Sequence, residues 1–179
     1  MNMVNRMPEK KRRKTPYNKR AAKQMAKLEQ LQERYPFKQP LSYYLMGVAG
    51  NPEEQEQKAF HNCLLSEFSE ILGGYELEGR DGIPGLICPA LIVATADFYD
   101  KHGKKMANYR HMGYQPGTPD MMILVRRGEC SGLIIEMKSQ SGSVTPWQKK
   151  TLAFLRTQGF SCHVCKGYAE ALDVWLELS

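Results

Sequence analysis

Three side chains near the middle of the chain have the types and spacing for hydrolytic chemistry. "GLIIEMKSQSG" (132–142) begins as an apolar β-strand, yet Glu136 and Lys138 interrupt it two residues apart. Strand side chains alternate faces, so Glu136 and Lys138 share one face while Leu133, Ile135 and Met137 take the other. Burying a carboxylate or an ammonium costs several kcal/mol unless it is paired or bound to a metal. Upstream, "GTPD" (117–120) bends the chain at Gly117 and Pro119 and leads Asp120 into a second apolar strand, "MMILV" (121–125). If the two strands pair antiparallel, Asp120 enters the sheet beside Glu136. Two carboxylates and a lysine at one sheet end suit a hard cation such as Mg²⁺, which activates water and neutralises a phosphodiester. The ammonium would position or help deprotonate the attacking water and stabilise developing charge. A lone ExK is far more often an edge strand with a salt bridge; the conjunction with "GTPD" and a capped helix changes the odds.

The elements that must hold these residues follow from local signals. "RRGECS" joins the two apolar runs as a hairpin. Thr145 caps the next helix, Pro146 starts it and Gly159 ends it, and Thr145-x-x-Gln148 has the form of a capping box. "FSCHVC" then reads as a strand and "YAEALDVWLEL" as a closing helix. Earlier, Asn51 caps a helix that Pro52 starts and Gly73-Gly74 stops, with Phe60, Cys63, Leu64 and Ile71 on one face. Residues 75 to 113 are the least legible, with a strand near 87–94 and a polar helix near 98–111. This order predicts an α/β sandwich around a central mixed sheet flanked by helices.

Composition bounds the partners. The chain has 179 residues and a formal charge of +6. Residues 1–40 carry 12 Lys/Arg and 3 Asp/Glu, a net of +9, which leaves −3 for the rest. A basic arm in front of a mildly acidic domain suits a polyanion, with nucleic acid the default. No apolar run approaches a membrane span, and the basic start has no apolar stretch behind it, so neither a membrane nor a secretory signal is expected. Five cysteines and no export signal point to reduced thiols in a cytoplasmic setting. "CHVC" (162–165) lacks a second half-site and reads as strand residues rather than zinc ligands. The expected division is a disordered basic tail at 1–16, a basic helix and linker at 17–50, and a domain at 51–179.

"GYQPGTPDMMILV", "GLIIEMKSQSGSVTPWQKKTLAFLRTQGFSCHVC" and the upstream "EEQEQKAF" resemble the VRR-NUC domain, a branch of the PD-(D/E)xK nuclease superfamily. The likeness is dense from about 113 to 176, patchier from 53 to 112, and absent from 1–50. It implies a restriction-endonuclease-like three-layer sandwich and Mg²⁺- or Mn²⁺-dependent cleavage of DNA, often branched or flapped. Stand-alone members occur in phages and bacteria, and a related domain ends a eukaryotic DNA-repair nuclease. Small members resemble dimeric junction resolvases, so a homodimer with two sites on opposed strands is one expectation. Asp120 matches the PD aspartate, Glu136 and Lys138 the (D/E)xK pair, and Gln148 a glutamine at the start of the next helix. The main-chain carbonyl of Met137 is a natural further metal ligand.

The family also places a glutamate on the first helix, where Glu53, Glu54 and Glu56 are all available. Glu56 lies four residues before Phe60 on the apolar stripe, so it is favoured, with Glu53 second and Glu54 pointing away. First-turn acids are also favourable simply through the helix dipole. Glu67 falls on the same stripe without a match to the motif. Lys104, Lys105 and Arg110, with Arg12, Arg13 and Lys14 of the arm, are candidate phosphate contacts. Tyr99 and Tyr109 suit stacking or packing; His102, His111 and His163 have no ligand-like spacing. A non-catalytic nucleic-acid-binding module and an RNA nuclease are the alternatives.

Overall fold

The computed structural model describes residues 16–72, 74–76, 87–89, 92–94 and 117–178. The helix expected at 98–111, the disorder expected at the N-terminus up to residue 15, and Arg12, Arg13, Lys14, Tyr99, His102, Lys104, Lys105, Tyr109, Arg110 and His111 lie outside the described residues.

The described elements run α1 (Pro16–Arg34), a 3₁₀ turn (Leu41–Leu45), α2 (Pro52–Leu72), β1 (Gly74–Glu76), β2 (Ile87–Pro89), β3 (Ile92–Ala94), β4 (Met121–Ile123), β5 (Leu133–Met137), α3 (Pro146–Thr157), β6 (Ser161–Cys165) and α4 (Tyr168–Glu177). Strands β3 to β6 form one sheet in sequence order. The pairs β3–β4 and β4–β5 are antiparallel and β5–β6 is parallel, so the sheet is mixed. β1 and β2 make a separate antiparallel pair.

The alternation read from the sequence decides the layering. Leu133, Ile135 and Met137 of β5 join a large core with α1, α2 and α4, whose largest members include Phe60, Tyr168 and Trp175. Ile134 faces the other way, onto Leu152 of α3 and Cys162 of β6. Helices therefore cover both faces of β5, all five of whose residues are buried. Cys162 and Cys165 fall in different clusters, on opposite faces of the sheet. Three residues apart on a strand, they cannot converge on one ion. Cys63, Cys130, Cys162 and Cys165 are free thiols.

One packing expectation changes. Ile71 is 45% exposed and Leu72 is fully buried instead. Phe68 has non-helical backbone (φ −128°, ψ 21°), and this kink shifts the phase of the last turn by one residue. The linker at 36–50 packs onto the domain, with Leu41 and Tyr44 in the main core. Glu67 holds it there, accepting from the Lys38 N–H (2.7 Å), the Gln39 N–H (3.2 Å) and the Tyr44 hydroxyl. That is why a carboxylate occupies the apolar stripe of α2. α1 is anchored likewise, through buried Leu28 and Leu31 and a 2.8 Å Lys27–Asp173 ion pair to α4.

Candidate active site

The register of β4 on β5 pairs Met121 with Ile135, which brings Asp120 alongside Glu136 at the C-terminal end of β5. Asp120 Oδ2 accepts the Met137 N–H at 2.7 Å, so the aspartate caps the strand pair it enters. Its carbonyl accepts from Gln57 Nε2 at 3.1 Å, which ties it to α2. The "GTPD" turn is positioned by close packing. Gly117 has φ +84°, and a Cβ there would lie 2.7 Å from the Trp147 carbonyl carbon and 2.9 Å from the Gln148 nitrogen. Only glycine lets the turn approach the first turn of α3 this closely.

Glu136 has no solvent exposure and Lys138 is 8% exposed. The Lys138 ammonium lies 2.6 Å from Glu136 Oε1, 3.3 Å from Glu53 Oε1 and 3.9 Å from Asp120 Oδ2, and donates to the Met137 carbonyl at 2.7 Å. Burial pushes the ammonium toward neutrality. The hydrogen bond and charge of Glu136, then the charges of Asp120 and Glu53, overcome this and hold its pKa above the usual lysine value. Glu136 moves the other way from an ordinary carboxylate. Burial raises its pKa to about 7, with the Asp120 charge adding to the rise and Lys138 opposing it.

Gln148 makes two sets of contacts, one to its own helix cap and one to Glu136. Its N–H and its Oε1 complete the capping box with Thr145 at 3.2 and 2.9 Å, and its Nε2 donates to Glu136 Oε1. Capping α3 therefore also fixes the amide that orients the buried carboxylate.

The first-helix glutamate departs from expectation. Glu53, not Glu56, reaches the cluster: besides contacting Lys138, its Oε2 accepts the Ser139 N–H at 2.8 Å. Glu56 Oε2 instead accepts the Tyr168 N–H at 2.8 Å and a hydrogen bond from Gln24 of α1. α4 begins at Gly167, which has no side chain to cap it, so Glu56 supplies the missing acceptor and its charge meets the helix N-terminus. Glu54 turns back onto Asn51, as its outward position suggests.

The donor set can be tested for a cation. Among the described residues no three His, Cys, Asp or Glu side chains are arranged to hold a metal ion together. The Lys138 ammonium stands among the oxygens of Glu53, Asp120, Glu136 and Met137 instead. The chemistry of the set nevertheless fits a hard divalent ion, being all oxygen. Glu136 Oε2 is buried with no hydrogen-bond partner among the described residues, a costly state for a carboxylate that a cation would relieve.

A mixed sheet between helices, with an acid–acid–lysine cluster where two strands meet, defines the class: a nuclease-type α/β fold. The VRR-NUC domain family matches residues 77–169, just over half of the chain, and the protein belongs to that family. A solved structure described as a VRR_NUC domain protein superimposes with a TM-score of 0.52 at 24% identity, over 73% of this chain and 90% of that one, in agreement with the fold. No curated protein matches the chain. No helix among the described residues is long and apolar enough to cross a membrane.

Proposed function

We propose that the protein is a divalent-metal-dependent endonuclease that hydrolyses DNA phosphodiesters, with preference for flapped, branched or junction structures. The observation that carries this reading is the fully buried Glu136, one oxygen bonded to Lys138 and Gln148 and the other with no hydrogen-bond partner among the described residues, beside Asp120. Such a carboxylate is expensive in a structural role and well matched to a cation-binding one.

Asp120, Glu136 and the Met137 carbonyl would hold Mg²⁺ or Mn²⁺, with Glu53 in place of Glu56 as the α2 contributor. The Met137 oxygen already accepts from Lys138, but a carbonyl has two lone pairs and can serve both. The ion, when bound, supplies an activated water and neutralises charge on the phosphodiester. Gln148 fixes the Glu136 carboxylate through its amide. Lys138, held protonated by its carboxylate neighbours, cannot accept a proton in this state. It acts as a hydrogen-bond donor that positions the nucleophile and stabilises charge on the phosphorus oxygens. The preference for branched DNA rests on the family resemblance.

The test incubates the purified protein with flap, splayed-arm, four-way-junction, duplex and RNA substrates in EDTA, Mg²⁺ or Mn²⁺. Asp120→Ala, Glu136→Ala and Lys138→Ala should each abolish metal-dependent cleavage of DNA while binding persists. Wild-type cleavage by all three variants would sink the assignment. Salt-sensitive binding without cleavage under any condition would favour the non-catalytic module, and cleavage of RNA alone would move the substrate class. Sedimentation of a dimer at working concentration would support paired sites; a monomer would remove them.

A further inference from the structure

Beside the cluster, a cavity of about 210 Å³ opens between α1, the start of α2 and the loop after β5, with Gln24, Glu56, Lys138 and Gln140 among its lining residues. A second cavity of about 190 Å³ shares Gln24 and Gln140 with it and is lined also by Lys23, Lys27, Lys166 and Glu170. The two cavities adjoin along Gln24 and Gln140, and together they extend from Lys138 to three lysines, Lys23, Lys27 and Lys166.

The charges at the far end are unequal. Glu170 is the one acid lining it, and its Oε2 accepts the Lys166 N–H at 2.8 Å. Lys27 is paired with Asp173 at 2.8 Å. Lys23 is exposed, and Lys166, also exposed, has its Nζ 3.4 Å from the Gln140 carbonyl. Lys19, Lys23 and Lys27 recur every four residues along α1, and the last two of them line the cavity together with Lys166. A solvated helix face would explain the α1 lysines alone. It does not explain why a lysine from the β6–α4 turn joins them in a cavity that adjoins the one beside the cluster.

We propose that these adjoining cavities form a track for the sugar–phosphate backbone of one nucleic-acid strand, with Lys23 and Lys166 neutralising phosphates on one side of the scissile bond and the amides of Gln24 and Gln140 lining the path between. The inference rests on the nuclease reading and adds a contact surface to it. α1 lies outside the stretch that matches the family. The track explains why a basic helix is built into the core through Leu28 and Leu31 instead of trailing from it. A bound phosphate replaces water around ammonium groups and releases counterions from the strand, which makes the contact visible as salt dependence.

The experiment uses the full chain in EDTA with single-stranded and flapped DNA oligonucleotides, and follows binding by anisotropy over a range of salt. The Lys23→Gln/Lys166→Gln double variant should lower the slope of log K against log salt by about 1.4 to 1.8, at about 0.7–0.9 for each phosphate contact. Lys23→Arg/Lys166→Arg should restore the wild-type slope, and Lys38→Gln, on a lysine bonded to the Ser66 carbonyl, should leave it unchanged. A single neutral methylphosphonate linkage moved stepwise along the strand should weaken the wild type at one or two adjacent positions and the double variant at neither. A double variant with the wild-type slope and the wild-type methylphosphonate profile overturns the track, even if the wild type cuts DNA. A wild type that neither binds nor cuts any substrate overturns the track and the nuclease reading together.

Discussion

Replacing Glu136 by Gln should change how stability responds to pH, in a direction the buried cluster dictates. Burial raises the folded-state pKa of Glu136 from its ordinary 4.5 to about 7. Between those values the folded protein holds a proton on this carboxyl that the unfolded chain has released, so folding is favoured at the acid end. That stabilisation is fully present below about pH 4.5 and is lost as pH rises through about 7. At about 1.4 kcal/mol per tenfold change in an equilibrium constant, the displacement corresponds to about 3 kcal/mol. Glu136→Gln removes the titrating group and keeps the shape. Urea unfolding of both proteins in EDTA, at steps from about pH 4.5 to about pH 8.5, isolates Glu136 as the difference between the two curves. The wild type should lose up to about 3 kcal/mol relative to the variant across that range. In the presence of a divalent cation at about a hundred times its Kd, the wild type should regain about 2.7 kcal/mol at the alkaline end, and the variant should not. A difference that stays flat with pH would refute the reasoning, because it would mean that Glu136 titrates alike in both states and is not strained by burial.

Two further substitutions separate roles within the site. Glu53→Gln should reduce metal-dependent cleavage with little effect on melting, while Glu56→Ala should leave the chemistry in place and cost about 1–3 kcal/mol of stability, since it strands the Tyr168 N–H; parallel assays of nicking rate and thermal unfolding distinguish them, and the opposite pattern would return Glu56 to the metal. Gly117→Ala should be destabilising by about 2 kcal/mol and nearly inactive, because the new Cβ meets the Trp147 backbone and displaces both Asp120 and Gln148; unchanged melting and nicking would show that the turn yields without cost.

What could be read from the sequence was local, and what could not depended on distant partners. Thr145, Pro146 and Gln148 lie within four residues, so the cap of α3 is complete in itself, and Gln148 follows from it. The opposition of Asp120 and Glu136 needs only strand alternation and one hairpin. The choice between Glu53 and Glu56 depends instead on Gly167, over a hundred residues away, whose lack of a capping side chain claims Glu56. Periodicity favours Glu56, which lies four residues before Phe60 on the apolar stripe, but stripe position does not show which partner a carboxylate takes. The kink at Phe68, which exchanges Ile71 for Leu72, likewise leaves no mark at helical spacing. Glu67 did leave one: a carboxylate on a buried stripe announces a partner, here the 38–44 segment.

Charge balance joins the cluster to the helix in front of it. Glu53, Asp120 and Glu136 surround a single ammonium, so with all three ionised the site carries a net −2. Without a bound cation such a centre repels a phosphodiester, and the divalent ion proposed for it would offset that charge. Until a cation is bound, attraction of a polyanion has to come from positive charge placed elsewhere on the protein. The first 40 residues carry that charge, +9 against −3 for the rest. A tail would supply attraction without direction. α1, with Leu28 and Leu31 in the core and Gln24 bonded to Glu56, holds its lysines at fixed positions relative to the cluster. The same Glu56 that does not reach Lys138 thus connects the basic helix to the helix that carries Glu53.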